Sequence, residues 1–215
     1  MEPGGRDPLE EAISTDRMCY AWALDNRLRR WLAPARNELR FLDLGPGQAV
    51  ADLGAGPGYF GPEIIHQIGP EGRLVMVDID EENLEIARRT VHHDPRARFV
   101  LGSAAQVPGI PSDSVDRVLM SLVLCCLRDK AGALSEAWRM LRPGGLALVT
   151  YPRRRTPGGR SRRPLRVSPG EWRSLVGRRP WHPRSEPDGW WVRRHLLERP
   201  KAPKVAPSER RPTLM

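Results

Sequence analysis

Residues 50–68, "VADLGAGPGYFGPEIIHQI", pass from a short apolar run, through three alternating glycines, into a segment where Ile64, Ile65 and Ile68 recur at helical spacing. A buried strand feeding a helix through a loop so bare of side chains leaves backbone N–H groups facing outward. Together with the helix N-terminus they form a receptacle for a ligand. Such a unit must be covered on both sides, which predicts a layered α/β domain. The tripeptide Asp-Leu-Gly also occurs earlier, at 43–45, but there it follows "PARNELRFLDL", where Leu39, Phe41 and Leu42 suggest a helix. Gly45-Pro46-Gly47 then reads as a helix stop and a turn into the next strand. The second copy is the candidate site.

Further along, Val75–Val77, Phe99–Leu101, Val118–Met120 and Leu146–Val149 are continuous apolar runs separated by helical stretches. Strands of this kind, buried on both faces and alternating with helices, predict a doubly wound, mostly parallel sheet. Leu134, Ala137, Trp138 and Leu141 share one helix face, and Arg142-Pro143-Gly144-Gly145 reads as a turn after it. Asp80 is placed to cap the helix "EENLEIARR". Ser168, Pro169 and Glu171 form a capping-box signature for a late helix. "RRPWHPRSEPDGWWVRRHLLER" predicts two antiparallel closing strands around Pro187-Asp188-Gly189.

Gly56-Pro57-Gly58-Tyr59-Phe60-Gly61 matches the dinucleotide pattern G-x-G-x-x-G, and Asp78 lies 20 residues past Gly58, where a ribose-binding acid belongs. Alone, the pattern is weak. Asp52, at the strand end, would repel a pyrophosphate and suits a ligand with a cationic end.

Asp52-x-Gly54-x-Gly56-x-Gly58 resembles the first motif of class I S-adenosylmethionine-dependent methyltransferases. The resemblance continues in order through "LVMVDID", "RFVLGSA", "SVDRVLMSLVLCCL" and "ALSEAWRMLRPGGLALVTY", covering roughly residues 30–151. The last segment is similar to the UbiE-like small-molecule methyltransferases. The resemblance implies a seven-stranded Rossmann-like sheet with N-terminal helices and, here, a shortened basic C-terminal part. It implies S-adenosyl-L-methionine as cofactor, its methionine part over Gly54, Gly56 and Gly58 and its amino end oriented by Asp52. Asp78 would accept the ribose hydroxyls, since a carboxylate takes two hydrogen bonds at once. Ile79 and Ala104 would lie by the adenine. Ser103 stands where the family usually has Asp, so the adenine contact is altered. Ser121, ending the fourth strand, is a candidate contact to the methionine moiety.

The expected reaction is an in-line methyl displacement, in which the protein aligns the reactants and excludes water. No base motif stands out, and the catalytic residue is unassigned beyond two weak candidates. Tyr20 lies with Trp22 in the amphipathic stretch "DRMCYAWALDNRLRRWL", whose helices in this family cover the substrate pocket. Cys125 and Cys126 occupy the place of a common His-His pair; they read first as small apolar side chains in a helix's first turn, with a soft-metal pair or a strained vicinal disulfide as the alternatives. The segment "LVLCCL" also resembles thiol methyltransferases. His92-His93 reads as a surface loop. No Cys/His spacing defines a metal site, so none is expected.

Four segments follow: an N-terminal helical cap at 1–40, the cofactor-binding core at 41–155, a basic loop with the last helix and closing strands at 156–199, and a disordered basic tail at 200–215. The longest apolar run, Val118 to Leu127, is too short to span a bilayer, and the acidic start "MEPGGRDPLEE" is not a signal peptide. A cytoplasmic protein is expected. Residues 151–215 hold 18 Arg/Lys against 5 Asp/Glu, while residues 1–150 hold 17 against 21. That basic surplus, with Trp172, Trp181, Trp190 and Trp191, keeps a nucleic-acid (RNA) methyltransferase or a non-catalytic binding module as the alternative. The 32 Arg against 3 Lys fit GC-rich coding equally, and a small-molecule substrate is favoured. Oligomeric state is not legible.

Overall fold

The computed structural model describes residues 34–152, 167–184, 188–189 and 192–201. The N-terminal stretch with Tyr20, the loop 156–164, Trp190, Trp191 and the tail beyond Lys201 lie outside the described residues.

A seven-stranded sheet runs through the molecule in the order β3-β2-β1-β4-β5-β7-β6. Its strands are β1 (Ala49–Leu53), β2 (Arg73–Asp78), β3 (Ala97–Leu101), β4 (Val115–Ser121), β5 (Leu141–Pro152), β6 (His182–Arg184) and β7 (Val192–Glu198). The first five are parallel; β7 pairs antiparallel with β5 and with β6. The helices are α1 (Ala35–Leu39), α2 (Gly61–Ile68), α3 (Glu81–Thr90), α4 (Lys130–Met140) and α5 (Pro169–Val176), with 3-10 turns at Arg40–Leu42 and Leu124–Cys126. The expected mostly parallel, doubly wound sheet is present. No helix among the described residues is long and apolar enough to cross a membrane.

Strand alternation divides the core into two layers. Val50, Leu74, Met76, Leu119 and Leu148 point to one face and pack with Ile64 and Ile68 of α2, Ala87 of α3 and Leu39 of α1. Ala51, Leu53, Val77, Val118, Met120 and Val149 point to the other and pack with Ala133, Leu134 and Ala137 of α4 and Leu175 of α5. The chain winds β1-β2-β3 in one direction and then returns to place β4 beside β1. That reversal opens a crevice at the carboxyl ends of β1 and β4, where open α/β sheets receive ligands.

The caps form as their residues dictate. Asp80 accepts the Glu82 N–H at 3.0 Å, and Ser168 and Glu171 complete a reciprocal capping box. Three expectations are corrected. Arg142–Gly145 does not stand outside the sheet as a separate turn: α4 ends at Met140 and β5 begins at once, with the extra residues taken up as an irregularity between the Val115–Leu141 and Arg117–Leu146 pairs and Gly144 supplying the positive φ, +87°. Leu141 therefore leaves the helix face and enters the sheet, fully buried. Finally, Phe99–Leu101 is not buried on both sides. β3 is an edge strand, and Leu101 is 47% exposed.

Candidate functional site: a carboxylate pair under a glycine loop

β1 ends at Leu53, and the chain turns over the carboxyl end of β2, where Gly54 and Ala55 both donate to the Val77 carbonyl, at 2.8 and 2.9 Å. Gly54, Gly56 and Gly58 all have positive φ, +74°, +52° and +83°, which an L side chain resists. Their reasons differ. A Cβ on Gly54 would fall 2.3 Å from Val123 Cγ2, and one on Gly58 would fall 2.9 Å from the Ala87 backbone of α3. Those two glycines let the loop lie tight between the β4 turn and α3. A Cβ on Gly56 meets nothing within 4 Å, so that glycine borders open space.

Asp78 fastens the loop. Its Oδ2 accepts the Gly56 N–H at 2.8 Å, while Oδ1 accepts the Asp80 N–H at 3.0 Å and the Asn83 amide at 3.3 Å. Asn83 escaped the sequence analysis because an Asn within a helix carries no motif. A carboxylate oxygen has more than one lone pair, so Asp78 retains acceptor capacity beyond these three bonds.

Asp52, the penultimate residue of β1, is 1% exposed. Its Oδ2 is buried without a hydrogen-bond partner among the described residues. Burial first, and the nearby Asp78 charge second, push its carboxyl up to about 7. An orphaned buried carboxyl costs stability unless something compensates it. A cation entering the crevice would do so, which fits the ammonium end of an aminoacyl ligand and opposes a pyrophosphate.

Ser121 closes β4; its hydroxyl lies 3.2 Å from that of Thr150 on β5. Ser103 accepts the Ala105 N–H at 3.1 Å, a local turn beside buried Ala104. Ile79 is half-buried directly after Asp78. Asp52, the loop, Asp78, Ile79, Ser103–Ala104 and Ser121 thus all follow or end β1, β2, β3 and β4 at one side of the sheet. Cys125 and Cys126 sit in the turn after Ser121, their Sγ atoms 3.8 Å apart. His92 and His93 have left-handed backbone in the turn after α3 and join no metal-binding group among the described residues.

A second polar cluster was not foreseen. At the end of β5 the Tyr151 hydroxyl and His195 Nε2 lie 2.8 Å apart, and the His195 ring stacks on Trp172 of α5 at 4.0 Å. Burial pushes the Tyr151 hydroxyl up to about 12 and pulls His195 down to about 4. Beside it, nearly buried Lys130 pairs with Glu171 at 3.1 Å. These partners are 23 to 44 residues apart in sequence, so no local spacing announced them.

The order of strands, the crevice and the glycine loop define a Rossmann-like domain. Residues 51–149 match the family model described as a methyltransferase domain. They are a domain of the class I S-adenosylmethionine-dependent methyltransferase kind, UbiE-like in type. The chain is 36% identical over 111 residues to an uncharacterized 37.1 kDa protein in transposon TN4556 of Streptomyces fradiae, covering 52% of this chain and 32% of that one. It is 29% identical over 116 residues to an arsenite methyltransferase of Halobacterium salinarum, covering 53% and 29%. With the ubiquinone/menaquinone biosynthesis C-methyltransferase UbiE of Vibrio campbellii it shares 32% over 107 residues, covering 48% and 41%. The matches thus span less than half the length of these curated relatives. Among solved structures, a SAM-dependent methyltransferase from Aquifex aeolicus superposes with a TM-score of 0.70 at 19% identity, over 82% of this chain and 94% of that one. That likeness supports the fold.

Proposed function

We propose that this chain transfers a methyl group from S-adenosylmethionine to a small-molecule acceptor. The observation that carries it is the orphaned, buried Asp52 carboxyl under a glycine loop fastened by Asp78. Asp52 would hold the cofactor's ammonium, and Asp78, through its remaining lone pairs, its ribose. Gly56 borders the space for the methionine chain. Ile79, Ala104 and Ser103 would surround the adenine, and Ser121 would face the methionine part. The cofactor supplies the electrophilic methyl; the protein's part is alignment and exclusion of water.

Two of the relatives are, by their names, a C-methyltransferase of ubiquinone/menaquinone biosynthesis and an arsenite methyltransferase, which supports a small acceptor over a polymer. A cytoplasmic setting suits such an acceptor. The full chain, incubated with methyl-labelled cofactor and fractionated small-molecule extract, should label a low-mass product. Label entering only RNA or protein fractions would defeat the small-molecule reading.

A further inference from the structure

The polar stack at the end of β5 has no part in holding the cofactor. Tyr151 stands opposite Arg193 and Val149 opposite His195, so Tyr151 and His195 are diagonal neighbours across the β5–β7 pair. The hydroxyl of buried Tyr151 lies 2.8 Å from His195 Nε2, and Trp172 stacks on the imidazole with ring centres 4.0 Å apart. One ring nitrogen is thus engaged and the plane of the ring is fixed. The other, Nδ1, has no hydrogen-bond partner among the described residues, yet it is not one of the buried unpaired polar atoms. It keeps some exposure, on a ring that is otherwise half-buried.

The stack sits at the crevice end of the sheet. β5 runs parallel to β4 with Thr150 opposite Ser121. The N–H of Leu122, the first residue past β4, bonds the Thr150 carbonyl at 3.0 Å, and Tyr151 is the next residue along β5. From above, α4 opens at Lys130, where the chain leaves the carboxyl end of β4, and the Lys130 ammonium holds Glu171 in the first turn of α5 at 3.1 Å. Trp172 follows Glu171. The imidazole therefore lies on the acceptor side of Ser121, the residue assigned above to the methionine part of the cofactor.

We propose that His195 takes the proton of a hydroxyl-bearing acceptor during methyl transfer, and that Tyr151 holds the imidazole in the tautomer that can do so. This deepens, and rests on, the methyltransferase reading above. Tyr151 accepts from Nε2–H, which leaves the Nδ1 lone pair bare. As the acceptor oxygen bonds to the methyl carbon, the S–CH3 electron pair stays with sulfur. The O–H proton passes to Nδ1, its electron pair remains on the ether oxygen, and the imidazolium then releases the proton to water. A hydroxyl being alkylated becomes a strong acid, so a weak base suffices provided it is uncharged. Burial supplies that condition by lowering His195 to about 4, while the nearby Asp188 and Arg193 charges pull it in opposite directions. Glu171 is paired with Lys130, and Tyr151, raised to about 12, stays protonated.

Two measurements on the full chain test this. Long-range 1H–15N NMR with labelled histidine and bound S-adenosylhomocysteine needs no acceptor, and His195 is assigned through its contact with the Trp172 ring. The Nε2–H tautomer should persist from pH 6 to 8, and Tyr151→Phe should populate the other tautomer. An Nδ1–H tautomer or a charged ring in wild type at pH 7 overturns the proposal. Methyl-labelled S-adenosylmethionine with fractionated small-molecule extract should give an O-methyl product. His195→Gln should slow its formation on the order of 100-fold or more with unchanged affinity for S-adenosylhomocysteine, and added imidazole should restore labelling to His195→Ala. Each variant is melted first, which separates a lost base from a lost fold. Label on carbon, nitrogen or sulfur, or an undiminished rate in His195→Gln, overturns the proposal and leaves methyl transfer standing. Absence of cofactor binding, or of any labelled small molecule, overturns the reading on which it rests.

Discussion

At the scale of single residues the three loop glycines are not equivalent, and substitution should separate them. Gly54→Ala must endure a left-handed φ and a collision with Val123, costing about 2–5 kcal/mol. Gly56→Ala meets no atom and bears only the φ cost, about 1–2 kcal/mol, yet its methyl projects toward the space assigned to the cofactor. Thermal melting and cofactor titration should therefore show Gly54→Ala losing stability first and Gly56→Ala losing affinity first. Equal losses in both measurements for both variants would refute this division. Asp52 makes a second prediction. Its folded carboxyl titrates near 7, above its unfolded value, so the ligand-free protein is most favoured below about pH 4, and that contribution disappears as pH rises to about 7. Asp52→Asn should raise the melting temperature of the ligand-free protein, and the gain should grow between pH 4 and 7. The Asp52 motif was legible in the sequence; its missing hydrogen-bond partner was not, because a lone pair is orphaned only once the neighbours are placed.

At the scale of elements, β7 and α5 are joined to the parallel core by the Tyr151–His195–Trp172 stack. His195 has the opposite sign to Asp52. Burial lowers it to about 4, so its stabilising contribution is complete above about 6.5 and is lost as pH falls toward 4. His195→Gln should flatten the acid side of the melting profile while leaving the region above pH 7 unchanged in shape. An unaltered acid limb would contradict the burial assigned to that ring. The capping box of α5 is a simpler test, since Ser168→Ala should cost about 1 kcal/mol in melting experiments. The elements most legible in the sequence were those carried by local signals: β1 with its loop, α3 under Asp80, α5 under Ser168. What escaped was long-range. An apolar run does not tell which strand sits at the edge, so β3 read like its neighbours. "RPGG" carries turn residues, but pairing with β4 drew it into the sheet as an irregularity. The His195 cluster depends on β7 pairing antiparallel beside β5, which no local spacing encodes.

For the whole molecule, the reversal of strand order between β1 and β4 places the candidate site where the two halves of the sheet diverge. No metal is needed there, so EDTA should leave cofactor affinity unchanged, and a loss of binding on chelation would count against the assignment. Asp78→Ala should weaken the cofactor by about 1.5–3 kcal/mol and also loosen the loop it fastens through Gly56. The most direct measurement is calorimetric titration of the full chain with S-adenosylhomocysteine from pH 5.5 to 8, for wild type and Asp52→Asn. Binding of the ligand's ammonium needs Asp52 ionised, so wild-type affinity should rise about tenfold per unit up to pH 7 and then level off, while Asp52→Asn binds more weakly with no such slope. Tighter binding of NAD, or a wild-type affinity that is independent of pH and shared by Asp52→Asn, would contradict the account.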